Sequence, residues 1–120
     1  MNLSLCSEEA AGVCRIRAEG EIRSVEEPRD PREIEELLGP SCYRRRILLD
    51  LEDAAHIDSS GVSWLVNLHK HCREAGGILV VHSIPPSIMA ILKLLHMERY
   101  LNLVEDEQAA RVVALGGGNS

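Results

Sequence analysis

Residues 47–72 read ILLDLEDAAHIDSSGVSWLVNLHKHC, and they join an apolar strand to an amphipathic helix. The strand, 47–51, is apolar at consecutive positions, as is typical of a central strand covered on both faces. Apolar residues recur at helical spacing from Val62 to Cys72. Between them lies Asp58-Ser59-Ser60-Gly61. Because open α/β sheets carry their sites at the carboxyl ends of strands, this turn is the candidate functional site.

The remaining chain shows the same alternation of strands and helices. Further strands are predicted at 3–6, 13–18, 78–81 and 99–104; further helices at 32–38 (after an Asp30 cap), from Pro85-Pro86 onward and at 106–115. Residues 51–57 are interpreted as a connection, and Gly76-Gly77 as the stop of the helix that follows the turn. In the last helix we expect Ala109, Val112 and Val113 to be buried. The order predicts an α/β fold in one domain, 1–115, with a mixed, mostly parallel sheet of about five strands backed by about four helices, and a flexible tail at 116–120.

Composition excludes several function classes. The net charge is −6, which argues against binding to nucleic acid or to an anionic membrane. Phe is absent and there are only one Trp and two Tyr, so base-stacking platforms are not expected. No apolar run approaches the roughly 18 residues of a spanning helix, and the N-terminus lacks the basic region of a secretory signal. We therefore expect a cytoplasmic protein.

Catalytic and metal sites find little support. A serine at a strand-to-helix turn is reminiscent of a nucleophile elbow, but the Gly-x-Ser-x-Gly pattern is missing. A small hydrolase that uses Ser59 or Ser60 stays a minor alternative. His69 and Cys72 share one helix face, yet two ligands do not make a metal site. The four cysteines show no CxxC spacing, and no glycine-rich phosphate loop is present, so neither metal nor cofactor is predicted.

The turn itself satisfies the physical requirements of a reversible switch. Asp58, Ser59 or Ser60 can cap the helix, which is worth about 1 kcal/mol. The first helical turn also offers free N–H donors and the positive end of the helix dipole. A phosphate on a serine there would leave the helix intact while adding about −1.5 to −2 charges to the surface. Such a charge could repel a binding partner.

The same residues resemble a known family. Leu49-Asp50-Leu51 followed by Ile57-Asp58-Ser59-Ser60-Gly61-Val62 is similar to the signature of STAS domains, and most closely to that of bacterial anti-sigma factor antagonists. Weaker similarities lie at Ala75-Gly76-Gly77, at Pro85-Pro86 and from Met97 to Leu101. The resemblance extends from about Leu3 to Leu115.

The resemblance implies a binding protein rather than an enzyme. In that family the unphosphorylated form binds an anti-sigma factor that is also a serine kinase, and the sigma factor is thereby released. The kinase uses ATP to phosphorylate the serine directly after the Asp, here Ser59, and a serine phosphatase resets the switch. Asp58, Ser60 and Gly61 would shape its environment. For the contact surface we expect the exposed face of the following helix, with Val62, Ser63, Trp64 and Lys70.

One position departs from the family pattern. The family often has Gly-Glu-Leu/Ile-Asp after the second strand, whereas this chain has Gly20-Glu21-Ile22-Arg23. An arginine thus replaces an acidic residue thought to lie near the phosphoacceptor, and it could instead pair with a phosphate on Ser59. Arg23 also favours the alternative function, a STAS scaffold or accessory subunit without a switch, such as one bound to a transporter ATPase or one inside a stress-sensing assembly.

Overall fold

The computed structural model of the chain describes residues 2–23 and 32–116. Its strands are β1 (Asn2–Glu8), β2 (Val13–Ile22), β3 (Arg46–Asp50), β4 (Ala54–Ile57), β5 (Ile78–His82) and β6 (Asn102–Leu103). Its α-helices are α1 (Arg32–Leu38), α2 (Ser59–Ala75), α3 (Pro86–Leu94) and α4 (Glu107–Ala114). Short 3₁₀ turns lie at Ala10–Gly12, Cys42–Arg44 and Met97–Arg99.

The six strands form a mixed, mostly parallel sheet. Its order is β1-β2-β3-β5-β6, and β4 pairs with β2. Only the β1–β2 pair is antiparallel among the described strands; β2, β3, β5 and β6 run parallel along the main path. The first half of β2 pairs with β3, and its last residues, Gly20–Ile22, pair with β4. The carboxyl ends of β2 and β4 therefore meet at one edge, where α2 begins.

Helices cover both faces of the sheet. Ile47 and Leu49 of β3 face a large core that also includes buried residues of α1, α2 and α3. Leu48 faces the opposite way, into a smaller core with Ala110 and Ala114 of α4. All three side chains of β3 are fully buried. The prediction of a central strand with two covered faces is confirmed, and so is the α/β fold class.

The structure corrects two details. Residues 54–57, which the sequence predicted to be a connection, form strand β4. The first and last residues of β4 are buried and the two between them are exposed, so the segment does not show the alternating pattern by which a strand is predicted. The strand forms because β2 is long enough to pair with it. In α4 the fully buried residues are Ala110 and Ala114; of the predicted set, Val113 is partly buried against the same small core, while Val112 is 46% exposed. The buried positions of α4 are thus four residues apart and lie on one face of the helix.

The boundaries of the elements around the turn differ by a few residues from the prediction. Helix α2 begins at Ser59 and ends at Ala75, and Gly76 follows in the left-handed conformation with φ +89°, which confirms the predicted glycine stop. The predicted last strand is reduced to Asn102–Leu103 because a 3₁₀ turn occupies 97–99. The predicted cap at Asp30 and most of the predicted tail, 117–120, lie outside the described residues. Within the described ranges, no helix is long and apolar enough to cross a membrane.

Candidate functional site: the turn at the start of α2

The turn predicted from the sequence connects β4 directly to α2. Asp58 is the single residue between them, with the extended backbone (φ −115°, ψ −176°) of an N-cap. Its N–H donates to the carbonyl of Ile22 at 3.4 Å, and its carbonyl accepts from the Val62 N–H at 3.0 Å. These two bonds fix the turn against the end of β2 on one side and the first helical turn on the other.

The Asp58 carboxylate is the acceptor around which the turn is arranged. Its Oδ1 accepts the Gly61 N–H at 2.9 Å and the Ser60 hydroxyl at 2.6 Å. The Ser60 bond is the main reason that the pKa of Asp58 lies below its ordinary value; the Gly61 N–H adds to this, and the positive charge of Arg23 contributes further. At neutral pH the carboxylate is therefore ionised, and its Oδ1 accepts two hydrogen bonds from within the turn.

The two serines of the turn lie in different environments. Ser60 is half-buried, and its hydroxyl is engaged by Asp58. Ser59 is the first residue of α2 and is exposed to solvent. The histidine hydrogen bonds of the described ranges run from His71 to Asn67 and from His82 to Ser83, away from Ser59. The arrangement leaves Ser59 accessible and Ser60 committed to the cap.

Gly61 allows the helix to approach β2. A Cβ atom at this position would lie 1.8 Å from the Ile22 carbonyl oxygen and 2.9 Å from Cγ1 of Ile57. Real side chains cannot occupy that space, so only glycine permits this contact. Gly61 is predictable from the sequence as part of the site, whereas its contact with Ile22 is not, because that contact depends on the pairing of β2 with β4.

Arg23 follows Ile22 directly and is exposed. Its Nε lies 3.3 Å from Oε2 of Glu21, and both side chains are about half exposed (53% and 54%). The hydrogen bond between Asp58 and Ile22 places the backbone of Arg23 next to the turn. A pairing between Arg23 and a phosphate on Ser59 stays a prediction.

The expected contact surface needs one correction. Trp64 is fully buried in the large core, so it does not belong to an exposed face. Helix α2 packs a broad face on the sheet, and the Trp64 indole lies within that interface. Val62 is partly buried and packs against the same core, whereas Ser63 and Lys70 are exposed. Two of the four predicted residues therefore have exposed side chains: Ser63, near the turn, and Lys70, farther along the helix.

Metal binding has no visible support in the part of the chain that the structure describes. There, no group of three or more His, Cys, Asp or Glu side chains is arranged to hold an ion. Burial raises the pKa of the Cys72 thiol to about 12 and that of Cys42 to about 11, so both are protonated at neutral pH and unsuited to act as thiolate ligands.

The chain is similar to known proteins both in sequence and in fold. A family model described as the STAS domain matches residues 7–110. A Thermotoga maritima protein designated a candidate anti-sigma factor antagonist has a similar structure, with a TM-score of 0.74 and 20% sequence identity over 87% of this chain and 88% of that one. The anti-sigma factor antagonist SpoIIAA in its unphosphorylated form is also similar, with a TM-score of 0.61 and 15% identity over 97% and 99% of the two chains. At these identities the structural likeness establishes the fold.

Proposed function

Because the chain belongs to the STAS domain family, we propose that it is an anti-sigma factor antagonist controlled by phosphorylation of Ser59. The unphosphorylated chain binds an anti-sigma factor that is also a serine kinase and so releases a sigma factor. The kinase transfers the γ-phosphoryl group of ATP to Oγ of Ser59, with ADP as the other product. A serine phosphatase then hydrolyses the phosphate ester with water, which restores the hydroxyl and releases inorganic phosphate. The chain itself acts as a binding partner and not as an enzyme.

The observation that carries this proposal is the difference between the two serines. Ser59 is exposed at the first position of α2, while the Ser60 hydroxyl donates to Asp58 at 2.6 Å. A kinase must reach the acceptor hydroxyl and remove its proton, which favours Ser59. The likeness to SpoIIAA and to the Thermotoga maritima protein supports the same class of function.

The position of Ser59 explains how phosphorylation would change binding without unfolding the chain. A phosphate there meets the positive end of the α2 dipole and a nearby cation, Arg23. Asp58 already caps the helix, so the new group is not needed for capping. It remains on the surface as added negative charge. Beside it, Ser63 is exposed on the same helix, so a partner docked there meets the charge directly.

A second candidate function is a constitutive STAS scaffold or accessory subunit. Arg23 favours it, because an exposed cation stands beside the turn where the family often has an acid. A pull-down from the source cells with the wild-type chain as bait separates the two functions. Recovery of an anti-sigma factor with serine kinase activity supports the switch, and recovery of an ABC-type ATPase supports the scaffold.

The switch is tested by phosphate mapping. The chain is incubated with ATP and the purified anti-sigma kinase from the same cells, and the product is analysed by mass spectrometry. We expect phosphate on Ser59 of the wild type and of Ser60→Ala, and none at this site in Ser59→Ala. Absence of phosphate on Ser59, together with unchanged kinase binding by Ser59→Asp, would overturn the proposal.

A further inference from the structure

Exposed apolar side chains are concentrated where α3 ends. Leu94 is 79% exposed, Leu95 is 46% exposed and Tyr100 is 47% exposed. They are three of the six large hydrophobic side chains that are exposed in the described part of the chain. Single exposed apolar residues are ordinary on a protein surface, but three of them within seven residues of sequence indicate an interaction surface.

The backbone holds these residues in one ordered corner. Helix α3 ends before His96, which adopts the left-handed conformation with φ 59°, and a 3₁₀ turn follows. The Tyr100 N–H then donates to the carbonyl of Met97 at 3.0 Å, and the Met97 side chain packs against the large core. The corner is therefore anchored to the fold while its apolar side chains face solvent. We call residues 93–100 the α3 corner.

The α3 corner lies beside the second half of α2, away from the turn. The ring centroid of Tyr100 is 5.3 Å from that of His69. Along the axis of α2, His69 lies about 15 Å from Ser59. The corner is therefore separate from the phosphorylation site, and no part of the proposed switch uses it.

The charge around the α3 corner is opposite in sign to that of the chain as a whole. Residues 70–99 contain four cations (Lys70, Arg73, Lys93 and Arg99) against two Glu, whereas the rest of the chain contains nine Lys and Arg against 17 Asp and Glu. All four cations are exposed, and none of them forms an ion pair with a carboxylate of the described residues. Unpaired positive charge beside apolar side chains is complementary to an acidic partner that also carries apolar groups.

Two other occupants fit this surface less well. In a second copy of the chain, the α3 corner would have to meet a different, acidic surface, and such head-to-tail contacts close into a ring or grow into a filament. An anionic membrane would attract the corner but repel the rest of the chain, which is strongly acidic. A separate protein meets neither difficulty.

We propose that the α3 corner binds an acidic, amphipathic segment of a partner protein. Carboxylates of that segment pair with Lys93 and Arg99, and its apolar side chains cover Leu94 and Tyr100. Tyrosine and arginine are among the residues that contribute most to binding at protein interfaces. The inference stands on the corner and does not depend on phosphorylation of Ser59.

Site-specific photo-crosslinking in the source cells tests the proposal. Benzoylphenylalanine is encoded at position 94 of the full chain, and mass spectrometry identifies the peptide to which it becomes linked on irradiation. We expect a peptide of another protein with more Asp and Glu than Lys and Arg. The matched control carries the crosslinker at position 112, because Val112 is also an exposed apolar residue but belongs to α4. It should not give that adduct.

Charge variants then test the role of the two cations. The identified peptide is synthesised and titrated into the full chain. Lys93→Glu combined with Arg99→Glu should raise its Kd at least about tenfold, whereas Lys93→Arg combined with Arg99→Lys keeps both charges and should bind as the wild type does. Both positions are exposed, so circular dichroism should show a folded chain in each case.

Four results would contradict the proposal. They are the absence of an adduct from position 94, the same adduct from position 112, a linked peptide that is not acidic or that comes from a second copy of the chain, and equal Kd values for the two double variants.

Discussion

The hydroxyl of Ser60 donates a 2.6 Å hydrogen bond to the carboxylate of Asp58. That bond makes the two adjacent serines chemically different, because Ser60 is held within the helix cap while Ser59 faces solvent. It also keeps the Asp58 carboxylate ionised. The turn is therefore a preformed cap with an accessible hydroxyl beside it.

Removal of the cap should destabilise the chain. Asp58→Ala removes the acceptor of the Gly61 N–H and of the Ser60 hydroxyl, and we expect a loss of about 1 kcal/mol in the free energy of unfolding. Urea denaturation followed by circular dichroism measures the change. Ser59→Ala is the control; since its side chain is exposed, its effect should be within about 0.5 kcal/mol.

The cost of Asp58→Ala should also depend on pH. The pKa of Asp58 is lowered by folding, so the folded state binds fewer protons than the unfolded state near the unfolded pKa of about 3.9. The contribution of the ionised carboxylate is then complete above that pH and is lost as pH falls through the folded pKa. The stability gap between wild type and Asp58→Ala should narrow from pH 7 to pH 3; a constant gap contradicts this account.

Gly61→Ala tests the contact between α2 and β2. An alanine at an open helical position normally stabilises relative to glycine by about 0.5–1 kcal/mol. Here the added Cβ would meet the Ile22 carbonyl, so the helix must shift and we expect destabilisation of about 1–3 kcal/mol or more. Urea denaturation measures the change in the free energy of unfolding. A decrease supports the close contact between Gly61 and Ile22, and an increase contradicts it. Ser63→Ala, at an exposed position of the same helix, should change stability little.

Trp64→Ala tests the placement of the indole in the core. Because Trp64 is fully buried, its truncation should cost about 3–5 kcal/mol. Trp64 is also the single tryptophan of the chain, so the native protein should show blue-shifted emission that moves to the red on unfolding. A Trp64→Ala variant with wild-type stability and impaired partner binding would instead place this residue on the contact surface.

Arg23→Gln tests whether this residue interacts with a phosphate at the turn. Phosphoserine is incorporated at position 59 by genetic encoding, and the second pKa of the phosphate is measured by ³¹P NMR. Because Arg23 favours the dianion, that pKa should be lower in the wild type than in Arg23→Gln, by on the order of 0.3 for an exposed pair. Arg44→Gln, at another exposed arginine, should match the wild type. Identical values in all three proteins would exclude the pairing.

Local pattern was sufficient to predict the fold class and the turn. The consecutive apolar residues 47–49 indicated a strand covered on both faces. The position of Gly76 after a run of apolar residues at helical spacing indicated that the helix ends there in the left-handed conformation. Strand β4 and the burial of Trp64 were missed for a common reason. Both depend on partners remote in sequence, β2 in one case and the assembled core in the other.

The central claim is that a phosphate on Ser59 separates the chain from its kinase partner. Isothermal titration calorimetry of the purified anti-sigma kinase with the unmodified and the Ser59-phosphorylated chain measures this directly. We predict that the modified chain binds at least about tenfold more weakly, because like charges are brought together in the contact. Equal affinity of the two forms would contradict the switch.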